Sequence, residues 1–245
     1  MLIGRVETDA ETLTVRLDDD GGFVPIEDPY AAFAAGRAAQ DVGDAVQGML
    51  VAPAVPTVIV GIAQNGPTHV SPVQAWLKSP RTVIGPSAQV ALRRDAGTTV
   101  AEAEVAVVIG RDTTGLTAEN AHEYVLGLTA VNDLSSPDRT AVDPRNFESK
   151  AGVGYTPLGP VIDTAVSIDD DLAMALVVDG VRVAETSAGR LPSGIRGALA
   201  YVARWLPLGP GDVVMTGAPF SAAPVAPGAV VDVVVGGMTL RTLTS

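Results

Sequence analysis

Hydrophobic and polar positions along this chain alternate in short runs, and the elements they predict are mostly strands. Residues 1–26 place apolar pairs and alternating segments around the polar turn Asp18-Asp19-Asp20-Gly21-Gly22, the pattern of a small hairpin or meander. Residues 29–50 are Ala-rich with helical spacing and predict one or two short helices. Pro53 and Pro56 mark a boundary before an apolar strand over 57–62. The reading is therefore a small N-terminal lobe over 1–55 and a larger domain over 56–245.

The larger segment is richer still in strand signals. Residues 100–110 end in a continuous apolar run of the kind found in buried strands. Residues 117–126 read as a helix with Thr117 as its cap and Glu119 in the first turn. A strand over 126–131 follows and ends at Asn132-Asp133. Residues 172–178 and 181–184 flank Asp179-Gly180, the clearest hairpin turn in the chain. A helix over 195–206 and strands over 213–216 and 230–235 complete the pattern. Frequent Gly (26) and Pro (18) suit many turns rather than long helices.

Composition narrows the class of function. A hydrophobic fraction of 47% is ample for a packed core. No apolar run reaches the ~18–20 residues of a membrane span, and the first residues carry no basic segment leading into an apolar signal core. The expectation is a soluble cytoplasmic protein without a membrane partner. There is no Cys, which removes disulfides and thiolate ligands. The net charge of −12, from 16 Lys+Arg against 28 Asp+Glu, argues against nucleic acid, because phosphate binding needs a basic face. Only two lysines occur, Lys78 and Lys150, in a chain that otherwise uses Arg; each marks a position suited to a compact, titratable ammonium.

The chemistry starts at Glu102 and Glu104. Two apart in a strand, they point to the same face, whereas Ala101, Ala103 and Val105 point to the other. Like charges side by side on a strand repel. The pair alone leaves two readings, a strand start still in solvent or a cation site. Asp133 adds a third carboxylate at the end of another apolar strand. Three oxygen ligands without Cys or paired His favour a hard dication over zinc. The Asp18-Asp19-Asp20 run, by contrast, reads as a solvated turn, since consecutive carboxylates do not converge.

These blocks resemble the fumarylacetoacetate hydrolase family. Glu102-Ala103-Glu104 runs into Val108-Ile109-Gly110, and Asn132-Asp133 follows 29 residues after Glu104. Lys150 precedes Pro157-Leu158-Gly159-Pro160 by seven residues. Pro210-Gly211-Asp212-Val213-Val214-Met215-Thr216-Gly217-Ala218-Pro219 is similar to the family's Pro-Gly-Asp-x-Ile-x-Thr-Gly-Thr-Pro signature, and Leu77-Lys78-Ser79-Pro80 to its Leu-Lys-Pro strand. The resemblance covers residues 56–245. It implies an α+β, predominantly β fold, a mixed β-sandwich or roll of that family's C-terminal type, and a homodimer. It further implies Mg2+ or Mn2+ held by Glu102, Glu104 and Asp133, with Lys150 and His69 catalytic and Lys78, Arg139, Thr216 and Gly217 contacting substrate. The implied activity is an enolate-forming reaction on a 2-oxo acid or β-dicarbonyl small molecule, foremost C–C bond hydrolysis, with isomerisation, decarboxylation or cyclisation as alternatives. A small-molecule binder without catalysis is the reading from another class.

Two departures from the family pattern stand out. The family's His–Glu dyad finds His69 here, but Pro72 stands at the Glu position. After the Asp ligand, Pro137 and Thr140 stand where the family has a substrate-gripping Arg and Gln, leaving Arg139 or Arg145 as substitutes at another register. His122, beside Glu123, reads as a surface residue.

Overall fold

A computed structural model describes residues 1–63 and 73–245. The N-terminal alternation forms a meander of β1 (Leu2–Glu7), β2 (Thr12–Leu17) and β3 (Phe23–Pro25), paired antiparallel. The helix α1 (Pro29–Ala34) follows, with Pro29 in its first turn and the Asp28 carboxylate accepting from the N–H groups of Tyr30 and Ala31. It ends early: Gly36, at φ +71°, terminates it, and the chain runs irregularly to β4 (Met49–Val51). The Ala-rich spacing over 29–50 thus yields one short helix.

The strands β5 (Ile59–Ile62), β6 (Ala75–Lys78), β7 (Val83–Ile84) and β8 (Gln89–Val90) precede the two that matter most, β9 (Thr99–Ile109) and β10 (Val125–Asn132). The helical turn α2 (Phe147–Lys150) leads to β11 (Thr156–Asp163), the hairpin β12 (Ala173–Val178) and β13 (Val181–Ser187), and the helix α3 (Gly194–Trp205). The chain closes with β14 (Val213–Met215), β15 (Ala222–Val225), β16 (Val230–Val235) and β17 (Met238–Thr244). Among the described residues these strands make two sheets. One has the order β3-β2-β1-β11-β10-β9-β14-β5-β6, with β4, β7 and β15 pairing β1, β11 and β9; the other runs β13-β12-β16-β17-β8. Both are mixed, since β14 lies parallel to β5 and β17 to β8. The fold is α+β and predominantly β, as the sequence predicts. The N-terminal strands join the larger sheet directly, Leu2 opposite Asp163 and Ile3 opposite Ile162.

Alternation along β9 sets the plan of the molecule. Ala101, Ala103, Val105, Val107 and Ile109 face the second sheet and pack with Leu176, Val231, Val233 and Leu240. Ala106 and Val108 face the opposite way, into a second core with Ile59, Val131, Leu158 and Met215. Glu102 and Glu104 continue that second face. They are buried too, so the reading of a strand start in solvent fails.

The helix expected over 117–126 does not form. Asn120 Oδ1 accepts from the Thr117 N–H at 2.7 Å, and its amide donates to the Gly115 carbonyl at 3.1 Å. Such side-chain bonds compete with the helical ladder. One 3-10 turn, Ala121–Tyr124, results, and β10 begins immediately after it. His122 is exposed on that turn.

Candidate metal centre

The antiparallel register of β9 and β10 sets Glu104 opposite Val131 and Ala103 opposite Asn132, so Asp133 leaves the end of β10 beside Glu102. Backbone bonds lock that exit. The Asp133 N–H donates to the Glu102 carbonyl at 3.0 Å, Val100 and Ser135 exchange a pair of bonds, and Asn132 Oδ1 accepts from the Glu102 N–H at 3.3 Å. Oxygens of Glu102, Glu104 and Asp133 then lie within 4.8 Å of one another. All three residues are buried, at 7%, 1% and 0% exposure. Three converging carboxylates desolvated to this degree fit a hard dication, whose ligands are oxygen.

Both lysines close on this cluster. Lys150 Nζ, carried by α2, donates to Glu102 Oε2 at 2.7 Å and to Asp133 Oδ2 at 2.5 Å. Lys78, on β6, donates to Asp133 Oδ1, to the Tyr155 carbonyl at 2.6 Å and to the Leu134 carbonyl at 3.3 Å. An ammonium has three donors, and all three of Lys78 are taken by the protein. Its side chain is fully buried. In this arrangement Lys78 holds the Asp133 carboxylate in place.

The other residues expected to touch substrate are placed as follows. The Gly217 N–H donates to Glu104 Oε2 at 2.8 Å, and Thr216 Oγ1 donates to the Val105 carbonyl at 3.0 Å, so both orient β9 and its carboxylate. Arg139 pairs with Glu148, its Nε 2.7 Å from Glu148 Oε2, and braces the 3-10 turn Pro137–Arg139 against α2. It holds the element that carries Lys150. His69 lies outside the described residues. Trp76, which carries no sequence signal of its own, has its ring 4.9 Å from Lys150 Nζ. The ring lies over Gly61, its cross-strand partner, where a Cβ would sit 2.5 Å from the indole. A Gly opposite a Trp in facing strands was the one available hint.

With this geometry in hand, the comparisons with known proteins are decisive. The sequence model of the fumarylacetoacetate (FAA) hydrolase C-terminal domain matches residues 35–243. The chain belongs to the fumarylacetoacetate hydrolase family. A 5-carboxymethyl-2-hydroxymuconate delta-isomerase from Mycobacterium smegmatis shares its structure with a TM-score of 0.91 at 28% identity, covering 100% of this chain and 99% of that one. The 4-hydroxyphenylacetate degradation bifunctional isomerase/decarboxylase of Salmonella dublin is 35% identical over 52% of this chain and 30% of its own length. The maleylpyruvate hydrolase of Aquipseudomonas alcaligenes is 30% identical over 65% of this chain and 55% of its own. The family thus holds hydrolases and isomerases on one scaffold. Among the described residues, no helix is long and apolar enough to cross a membrane.

Electrostatics in this family member divide the carboxylates. Burial, together with the negative charges of Asp133 and Glu102, pushes Glu104 well above the usual carboxyl range. Burial also raises Glu102, with Lys150 opposing it. Asp133 is as buried, yet Lys150 and Lys78 outweigh desolvation and hold it below its ordinary value. Lys150 is raised in turn, because Asp133 and Glu102 overcome its burial. Three carboxylates against two ammoniums leave one net negative charge when all are ionised.

Proposed function

We propose that this chain is a divalent-metal-dependent enzyme that acts through an enolate on a 2-oxo-acid or β-dicarbonyl small molecule, with C–C bond hydrolysis as its reaction. The observation that carries this is the convergence of three buried carboxylates, braced by two lysines, on the face of a family fold. Glu102, Glu104 and Asp133 would hold Mg2+ or Mn2+. When bound, the ion supplies positive charge to the oxygens of an enolisable substrate and lowers the cost of enolate formation.

The chain's own residues do the rest. Lys150 keeps a proton at Nζ between two carboxylates and steadies negative charge developing on a substrate oxygen. Lys78 and the Gly217 N–H hold Asp133 and Glu104 so that little reorganisation accompanies binding. His69 is assigned the general base that activates water. In hydrolysis of R–CO–CH2–CO–COO−, water oxygen adds to the acyl carbon, the bond from that carbon to CH2 breaks, and its electron pair becomes the pyruvate enolate. Protonation of CH2 yields pyruvate, and the acyl group leaves as a carboxylate. An isomerase or decarboxylase reaction uses the same enolate without water, and relatives named for both support it as the second reading.

Turnover of acylpyruvates and oxaloacetate with Mn2+ is the test. Glu104→Ala is expected to lower kcat/KM by about 100-fold or more, given that even outer-shell partners of a metal commonly cost 10–100-fold. An unaffected rate would overturn the metal mechanism. In labelled water, oxygen in the new carboxylate marks hydrolysis, and its absence marks the second reading.

A further inference from the structure

A cavity of about 330 Å3 opens against the two lysines of the centre. Its apolar wall is Val58, Ile59, Leu77, Pro80, Phe147 and Ala151. Phe147 stands one helical turn before Lys150 on α2, so the two share a face, and the residue is 76% exposed. Lys150 lines the cavity while its Nζ holds Glu102 and Asp133. The cavity therefore lies one side chain away from the carboxylate cluster, with Lys150 between the two.

The charge of that wall decides what it accepts. Among the described residues its two cations, Lys78 and Lys150, are both engaged by the cluster's own carboxylates. The remaining polar side chains of the wall, Thr57, Ser79 and Asn146, are neutral, and Thr57 Oγ1 is already bonded to Asp212 at 2.8 Å. Arg139 lies outside it and is paired with Glu148. Arg81 and Arg145 adjoin lining residues in sequence but are not part of the wall. A second carboxylate entering this cavity would give up part of its hydration and meet only ammoniums already paired with carboxylates, which is unfavourable. An alkyl or aryl group would gain from the same desolvation.

Resting on the enolate reading above, we propose that the part of the substrate beyond its chelating end extends past Lys150 into this cavity, that the substrate is a monoacid whose group there is apolar, alkyl or aryl, and that Phe147 is the residue selecting it. The relatives named for carboxymethyl-hydroxymuconate and maleylpyruvate handle compounds with a second carboxylate; this chain would discriminate against them.

The test compares acylpyruvates that differ only in the acyl end: isobutyl, phenyl and carboxyvinyl. With Mn2+ present, the isobutyl or phenyl compound is expected to exceed the carboxyvinyl one in kcat/KM by at least about tenfold, the scale of discrimination an apolar pocket delivers. Phe147→Ala should shrink that ratio, and Phe147→Arg should reverse it; both variants change one largely exposed side chain, so folding is preserved. Oxalate, which has a chelating end and no tail, is the control for the metal reading, followed by thermal shift with Mn2+. If oxalate binds but the carboxyvinyl compound is preferred, or Phe147→Arg leaves the ratio unchanged, the apolar-tail inference is wrong and the metal reading stands. If neither oxalate nor any acylpyruvate binds with Mn2+, the metal reading fails and the inference with it.

Discussion

Glu104 is the residue at which burial and chemistry conflict most directly. Its carboxyl is fully enclosed, has one N–H partner in Gly217, and faces the negative charges of Asp133 and Glu102. Its raised pKa means that the folded, metal-free protein holds a proton there at pH values where the unfolded chain has released it. Between the ordinary carboxyl range and that raised value the folded state binds more protons, so stability falls as pH rises through the window. A dication must displace the same proton, so its affinity rises with pH over the same window. Mn2+ titrations by calorimetry at pH 5.5 and 7.5 should show tighter binding at the higher pH, accompanied by proton release. Glu104→Gln removes the titrating group and should abolish the proton release along with most of the affinity. Affinity independent of pH would mean that Glu104 is already ionised in the metal-free fold.

At the scale of elements, β5 and β6 form the edge that carries Trp76 and Lys78 to the cluster. Gly61 permits this, because any Cβ there would strike the indole. Gly61→Ala should push Trp76 off Lys150 and destabilise the protein by about 1–3 kcal/mol, the usual cost of overpacking. Trp76 and Trp205 are the only tryptophans, so in a Trp205→Phe background the emission of Trp76 reports its displacement; an unmoved spectrum would refute the contact. Elements of this kind were legible in the sequence where local physics decides them. The period of two over residues 100–110 predicts β9 and the shared face of its glutamates. Asp179 and Gly180 both adopt positive φ, +50° and +79°, as the hairpin turn they predict requires. The helix predicted over 117–126 does not form because a single amide, Asn120, diverts its first turn. What binds Lys78 was illegible: two of its partners are backbone carbonyls 56 and 77 residues away. Residue identity leaves no mark of such contacts, so the bonds that hold Lys78 become visible only in the fold.

For the whole molecule, the cluster joins parts of the chain that no local interaction would hold together. Glu102 and Glu104 sit in β9, Asp133 follows β10, Lys78 reaches in from the sheet's far edge strand and Lys150 from α2. Once Glu104 has released its proton, two buried ammoniums leave the three carboxylates one charge short of neutrality, so a dication binding there favours the folded state over an unfolded chain whose ligands are scattered. By mass action, a free ion at 100 times its Kd contributes about 2.7 kcal/mol. For a chain of this length each kcal/mol moves Tm by about 2–4 °C. Saturating Mn2+ should therefore raise Tm by about 5–10 °C over protein kept in chelator, and the gain should return in full when the chelated sample is resupplied. Mg2+ should act in the same direction at higher concentration, since it gives up its hydration less readily. Glu102→Gln, Glu104→Gln and Asp133→Asn should each suppress the shift, whereas Asp18→Asn, in the exposed turn after β2, should leave it intact. A shift that survived loss of the cluster but not of Asp18 would move the ion site to that turn and remove the cluster from the mechanism.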